Sequence, residues 1–174
     1  MITANAVLAR WNALSEDAAA MEILPCCGSR RWASELARAR PFADDAALCE
    51  RSAKIWLGLG PADWDEAFRT HPRIGERKAV AAATQRSAAW SLSEQSRFRQ
   101  SDLEIRAALE RGNQLYEERF GRIFLVCATG KSAAEMLMIL VRRLQNDPQT
   151  ELRETVEQQW QITQLRLRKW LNHE

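Results

Sequence analysis

The sequence predicts an all-α fold, a single-domain bundle of about seven to nine helices formed by residues 1–174. Three observations lead to this class. Apolar residues recur at the three- and four-residue spacing of helices along most of the chain. Prolines, glycines and capping residues divide these stripes into short segments. No internal repeat, low-complexity tract or long linker marks the start of a second domain.

The first half of the chain is predicted to form five helices. Ser15 begins the second of them, and Pro25 and Gly28 are expected to bound the tight turn that follows. Asp44 or Asp45 is expected to cap the fourth helix. The residues that mark the first, third, fourth and fifth helices are Val7–Leu8–Trp11–Leu14, Trp32–Leu36–Ala39, Leu48–Cys49–Ser52–Ile55–Trp56–Leu59 and Trp64–Phe68.

The second half is predicted to hold three further helices. Ser91 is expected to open a long helix that ends at Phe120, before Gly121. Residues 123–127 are apolar and partly β-branched, and their periodicity leaves the choice between helix and extended chain open. One helix follows from about Ser132 to Leu144, and the last begins after residues 146–148.

Composition and charge narrow the classes of function. Apolar residues make up 46% and charged residues 28% of the chain, which is typical of a soluble globular protein. The net charge is +2 with both signs interspersed, so no nucleic-acid or membrane partner is expected. Residues 1–14 lack the pattern of a signal peptide, and we expect a cytoplasmic protein.

Cysteine and histidine usage argues against a metal site. Four cysteines stand at positions 26, 27, 49 and 127 without a CxxC motif, and we expect reduced, packed thiols. The two histidines are His71 and the penultimate His173, too few for a histidine-rich metal site. The chain also lacks a glycine-rich phosphate loop and a nucleophile elbow. An enzyme built from these residues would use acid–base chemistry without a cofactor or metal.

The strongest candidate for such chemistry is His71. Histidine is the side chain whose unperturbed pKa lies nearest neutrality. His71 follows a predicted helix end and precedes Pro72, which pushes it out of the α region and stiffens the loop. A positioned proton donor or acceptor would suit this place. A surface or half-buried histidine that caps the preceding helix is the structural alternative.

Ser91, Glu94 and Arg166 each permit a functional and a structural interpretation. Ser91 and Glu94 have the Ser-x-x-Glu spacing of a capping box, but Glu94 could instead face a pocket and orient His71. Arg166 is expected to be half-buried on the last helix. There its guanidinium could hold a carboxylate or urea oxygen through two hydrogen bonds, or form a structural ion pair.

An ordered set of short motifs resembles the 2-oxo-4-hydroxy-4-carboxy-5-ureidoimidazoline (OHCU) decarboxylase family of urate degradation. The resemblance covers roughly residues 5–171, and the ordered set around the His71 segment makes it specific. The motifs are Cys27-Gly28-Ser-Arg-Arg-Trp32, Arg40-Pro41-Phe42, Asp63-Trp64, His71-Pro72-Arg73-Ile74-Gly75, Ser91-Leu-Ser-Glu94-Gln95, Asn113-Gln-Leu-Tyr116, Phe120-Gly121 and Arg143-Leu-Gln-Asn146.

The resemblance implies an all-α, commonly dimeric, cofactor-free decarboxylase that acts on a small ureidoimidazoline substrate and produces (S)-allantoin. It implies that His71 and Glu94 are the catalytic residues, with Glu94 holding His71 in its charged form. The substrate-binding residues that it implies are Pro72, Ser91, Gln95, Val126, Cys127, Ala128, Thr129 and Arg166. It implies no metal ligand.

Three alternatives stay open at the level of sequence. A helical interaction module without catalysis could have kept the same fold. A related acid–base enzyme could act on another ureido or hydantoin compound, because pocket shape rather than residue type sets that choice. A metal hydrolase is a more distant third.

Overall fold

The computed structural model describes residues 5–74, 84–94 and 103–172, and these residues form nine α-helices and no strand. The predicted all-α class is therefore confirmed. None of the helices in these ranges combines the length and apolar character needed to cross a bilayer. The helices are α1 Ala6–Asn12, α2 Glu16–Cys27, α3 Arg30–Arg38, α4 Asp45–Gly58, α5 Pro61–Phe68, α6 Gln85–Glu94, α7 Leu103–Phe120, α8 Ala133–Arg143 and α9 Pro148–Leu171.

Polar side chains begin several helices where the sequence predicts it. Ser15 caps α2 by accepting from the backbone N–H of Ala18, and Asp44 rather than Asp45 caps α4 through Ala47. Ser132 forms a complete capping box at the start of α8. Each cap satisfies a backbone donor that would otherwise lack an intrahelical partner.

The predicted turn at Pro25 is wrong, because α2 continues through this proline to Cys27. Proline has no backbone N–H, so one intrahelical hydrogen bond is missing at this position, yet the helix continues for two more residues. The helix ends instead at Gly28, whose φ of 91° is the left-handed conformation that glycine adopts without strain. Ser29 then caps α3.

The predicted helix start at Ser91 is also wrong. α6 begins at Gln85, and the side chain of Thr84 accepts from the N–H of Ser87 at 3.2 Å, which is the cap geometry. Ser91 is therefore an interior helix residue. Residues 95–102, which the predicted long helix includes, lie outside the described residues.

The chain divides into two compact units. Unit 1 runs from the first residues to Ala67 and resumes at Trp160, and unit 2 comprises Phe68–Gln159. The single domain over residues 1–174 stays a prediction from the sequence.

Unit 1 packs around three fully buried indoles. Trp11 donates to the carbonyl of Ala19 at 2.9 Å, and Trp32 donates to that of Ser52 at 3.3 Å. Trp56 is fully buried as well, and its carbonyl accepts from Trp64 at 3.2 Å. These bonds matter because a buried indole N–H without an acceptor would be costly.

Unit 2 has its own hydrophobic cluster, which joins α7 and α8 to two connecting segments. Its buried members are Ile74, Leu109, Tyr116, Phe124, Val126, Ala128, Ala133, Met136 and Leu140. Gly112 of α7 lies against Leu140 of α8, so a Cβ at this position would meet that side chain at 2.5 Å. This cluster fixes the two segments, 70–74 and 122–131, that carry most of the candidate site.

Candidate active site

His71 lies on a short loop after α5 and is 5% exposed. Its backbone N–H donates to the carbonyl of Phe68 at 3.2 Å, which turns the chain out of the helix. Pro72 follows and is half-buried. The predicted loop position is thus confirmed, and the interpretation of His71 as a surface residue is excluded by its burial.

Two neighbours fix the far side of this loop. The Arg73 guanidinium binds both carboxylate oxygens of Glu117 on α7, with contacts of 2.5 and 2.6 Å. Ile74 belongs to the hydrophobic cluster of unit 2. With the end of α5 before it and these two anchors after it, the His71 backbone has little freedom. Such restriction is what an accurately placed acid or base requires.

Helix α6 presents Ser91 and Glu94 in the same unit as His71. Ser91 is 3% exposed, and Glu94, one helical turn later, is half-buried. Because Ser91 lies inside the helix, the capping-box interpretation of this pair is wrong. Gln95, the third predicted residue of this group, lies outside the described residues.

Residues 126–128 run through the core of unit 2, and Thr129 follows them at the surface. Phe124, Val126 and Ala128 join the hydrophobic cluster, an alternation typical of extended chain, although the described residues form no strand there. Cys127 is buried and Thr129 is exposed. Since the Val126 and Ala128 side chains occupy the core, these two residues could meet a substrate only through their main chain.

A buried polar network, which the sequence analysis did not foresee, supports this segment. Arg143 and Glu151 form an ion pair of 2.5 Å with both side chains fully buried. Arg143 also donates to the carbonyl of Leu125 at 2.6 Å, directly before residues 126–129. The Tyr116 hydroxyl and the Asn146 amide both donate to Glu151. The only available signal was the presence of Tyr116, Arg143 and Asn146 in the recognised motifs.

Tyr116 is insulated from water in this network. The pKa of its phenol is raised to about 12, mainly by burial; the charge of Arg143 works against this rise and the hydrogen bond to Glu151 adds to it. The phenol is therefore protonated at neutral pH. Its place in the network makes it a structural group rather than an acid or base.

Arg166 lies in unit 1, on the part of α9 that follows Trp160, and it is fully buried rather than half-buried as predicted. Its guanidinium donates to the carbonyl of Pro25 at 3.5 Å. The neighbouring Cys27 thiol has a pKa raised to about 12 by burial, an effect that its bonds to Ser29 and Thr163 and the charge of Arg166 partly oppose. Cys27 is accordingly a protonated core thiol.

The structure therefore brings most of the predicted residues into one unit. His71, Pro72, Ser91, Glu94 and residues 126–129 belong to unit 2, and Arg166 belongs to unit 1. Within the described ranges, no three side chains of His, Cys, Asp or Glu are grouped so that they could hold a metal ion.

Fold and site together define the class: an all-helical protein with a buried imidazole on a fixed loop. The chain belongs to the OHCU decarboxylase family, whose model matches residues 12–168. A solved structure described as OHCU decarboxylase in the presence of (S)-allantoin is 33% identical and has a TM-score of 0.74. That similarity covers 87% of this chain and 97% of the other. A second structure, an (S)-allantoin synthase, is 15% identical with a TM-score of 0.68 and shows the fold alone.

Two curated relatives come from different organisms. The chain is 36% identical over 146 residues to the uric acid degradation bifunctional protein TTL of Arabidopsis thaliana. It is 32% identical over 130 residues to the 2-oxo-4-hydroxy-4-carboxy-5-ureidoimidazoline decarboxylase of Amia calva. These matches cover 83% and 74% of this chain. They span 44% of the Arabidopsis protein and 73% of the Amia protein.

Proposed function

We propose that this protein decarboxylates 2-oxo-4-hydroxy-4-carboxy-5-ureidoimidazoline to (S)-allantoin in urate degradation, without a cofactor and with His71 as the proton donor. Membership in the family supports the reaction. The observation that carries the role of His71 is its burial on a loop that is anchored on both sides.

The substrate's own chemistry accounts for the residue types. The bond from the ring carbon to the carboxylate breaks, and its electron pair forms a double bond to the neighbouring ring carbon; the π pair of the adjacent C=N bond moves to nitrogen, which takes up a proton. Carbon dioxide leaves, and the ring is left as an enol. The substrate thus supplies the electron sink that other decarboxylases take from a cofactor.

The second step sets the stereochemistry. The enol hydroxyl loses its proton while the neighbouring ring carbon gains one, and protonation of a single ring face gives one enantiomer. A fixed imidazolium at His71 is suited to deliver that proton, a type of catalysis that contributes about 10²–10⁴-fold. Mobile water would deliver it to either face and would yield a racemate.

Assisting roles follow for the other candidates. Glu94, half-buried on α6, would favour and orient the charged form of His71. The main chain of residues 126–129 would bind the ureido group, with Pro72 and Ser91 as further contacts. Arg166 and Gln95 would bind the carboxylate, carbonyl or ureido oxygens, since a guanidinium and an amide both donate to such groups.

The experiment generates the unstable substrate in place from urate with the two preceding enzymes and follows the product by circular dichroism. We expect this protein to accelerate the appearance of (S)-allantoin. Racemic allantoin formed at the spontaneous rate would refute the proposal. Tests with other ureido and hydantoin compounds would then distinguish a related acid–base enzyme from a helical module without activity.

We further propose that the protein is a cytoplasmic homodimer. Met138 and Val141, one turn apart on α8, are 66% and 55% exposed, and apolar side chains grouped on one helix face favour a protein contact. Light scattering on the purified chain and on Met138→Asp would test the dimer. A monomer at micromolar concentration would refute it, and cell fractionation would test the location.

A further inference from the structure

The middle of the segment between α7 and α8 is buried without being part of a helix or strand of the described chain. Residues 124–128 are all buried. A buried peptide group costs free energy unless its N–H or C=O finds a partner. For such a segment, polar side chains from elsewhere have to supply partners that secondary structure would otherwise provide.

At Cys127 both backbone polar groups bind to side chains. Its N–H donates to Oε1 of Gln158 on α9 at 2.9 Å. Its carbonyl accepts from Nζ of Lys131 at 2.7 Å. The N–H belongs to the peptide group before Cys127 and the carbonyl to the one after it. The two side chains therefore fix both peptide planes that meet at this residue.

The neighbourhood of these bonds is itself rigid. Arg143 holds the Leu125 carbonyl two residues earlier, at 2.6 Å. After the segment, the N–H of Lys131 closes a turn onto the carbonyl of Ala128 at 3.0 Å, and Gly130 has a φ of 82°. Gln158 and Lys131 thus act on peptide groups whose flanking chain is already fixed.

We propose that Gln158 and Lys131 are positioning residues for substrate binding. They orient the peptide groups around Cys127 so that the main chain of residues 126–129 is ready to bind the ureido part of the substrate. A ureido group carries N–H donors and a C=O acceptor, which complement peptide groups. This inference rests on the proposed function. Because these peptide groups are already oriented, substrate binding does not have to order them. Loss of either positioning side chain should therefore raise KM.

The experiment compares Gln158→Leu and Lys131→Met with matched controls in the decarboxylation assay. Gln149→Leu changes an exposed glutamine of the same helix, and Lys54→Met changes an exposed lysine of α4. We expect KM to rise about tenfold in each test variant, the effect of one lost hydrogen bond, with kcat nearly unchanged. The controls should match the parent protein, and Lys131→Arg should restore KM because it keeps a donor.

Gln158 is uncharged, so a rise in KM for Gln158→Leu does not arise from a lost cation near an anionic substrate. If Gln158→Leu does not fold, the Lys131→Met and Lys131→Arg pair decides. An unchanged KM in both test variants would overturn the positioning role. A parallel fall in kcat, kcat/KM and thermal midpoint would also overturn it, because that pattern indicates a structural role. A parent protein that forms no (S)-allantoin would instead overturn the proposed function itself.

Discussion

Arg143 and Glu151 form an ion pair of 2.5 Å inside unit 2, with neither side chain exposed to water. The pair links α8 to α9 and, through the contact of Arg143 with Leu125, to the segment that leads into residues 126–129. A buried pair of this kind gives little net stability over an apolar one, but losing one partner leaves an unbalanced buried charge. We therefore expect the two residues to be sensitive to single substitution.

Replacing Glu151 with glutamine should lower the free energy of unfolding by about 3–5 kcal/mol, because the buried Arg143 charge loses its buried partner and keeps only the more distant Glu154 carboxylate at 3.9 Å. Urea denaturation would measure the change. Glu50→Gln is the matched control, since Glu50 forms an ion pair with Lys54 at the surface. This substitution should barely change the midpoint of urea denaturation. Equal effects of the two substitutions would contradict the importance of burial.

The single tyrosine of the chain should lose its phenol proton only at an unusually high pH. Its phenol has a pKa raised from 10.0 to about 12, first by burial and then by the hydrogen bond to Glu151. Because Tyr116 is the only tyrosine, phenolate absorbance in the folded protein reports this group alone. We expect the absorbance to rise near pH 12. A midpoint near pH 10 in a protein that is still folded would show that the phenol is accessible to water.

The raised pKa of Tyr116 should make the folded protein less stable at high pH. The unfolded chain releases the phenol proton near pH 10, whereas the folded protein keeps it to about 12. Between these values the unfolded state binds fewer protons, so the free energy of unfolding falls as pH rises. The contribution is fully present below pH 10. Denaturation of Tyr116→Phe over this range should lack that part of the decline.

The cysteines should differ in reactivity according to burial. Cys27 is a core thiol with a pKa near 12, and Cys26 and Cys127 are buried, whereas Cys49 is half-buried. Thiolate formation and access control thiol reactivity. With a disulfide reagent at pH 8, we expect Cys49 to react first, and Cys27 only on unfolding. The fast phase should disappear in Cys49→Ser, and its persistence would contradict this order.

Replacing His71 with glutamine should reduce kcat by about 10²–10⁴-fold, since a positioned acid or base contributes that factor. Far-ultraviolet circular dichroism would check the fold. His173→Gln removes the other histidine and should leave activity unchanged. A loss below about tenfold in a folded His71→Gln protein would exclude His71 as the proton donor.

The sequence determined the local features well. Helical periodicity predicted the all-α class, and Ser15 and Asp44 cap helices near whose starts the sequence placed them. The position of His71 on a loop followed from the proline beside it. These features depend on a few neighbouring residues, so they can be read along the chain.

The tertiary structure decided what the same patterns mean. Ser132 and Glu135 form a capping box, whereas Ser91 and Glu94, with identical spacing, lie inside a helix that begins earlier. Likewise, nothing local indicated that Arg143 would bind the Leu125 carbonyl, or that Arg166 would be fully buried. A polar side chain can cap a helix, form an ion pair or bind the backbone of another segment. Which of these it does depends on which polar groups near it are buried and therefore cannot bind water. That depends on contacts between residues far apart in the chain.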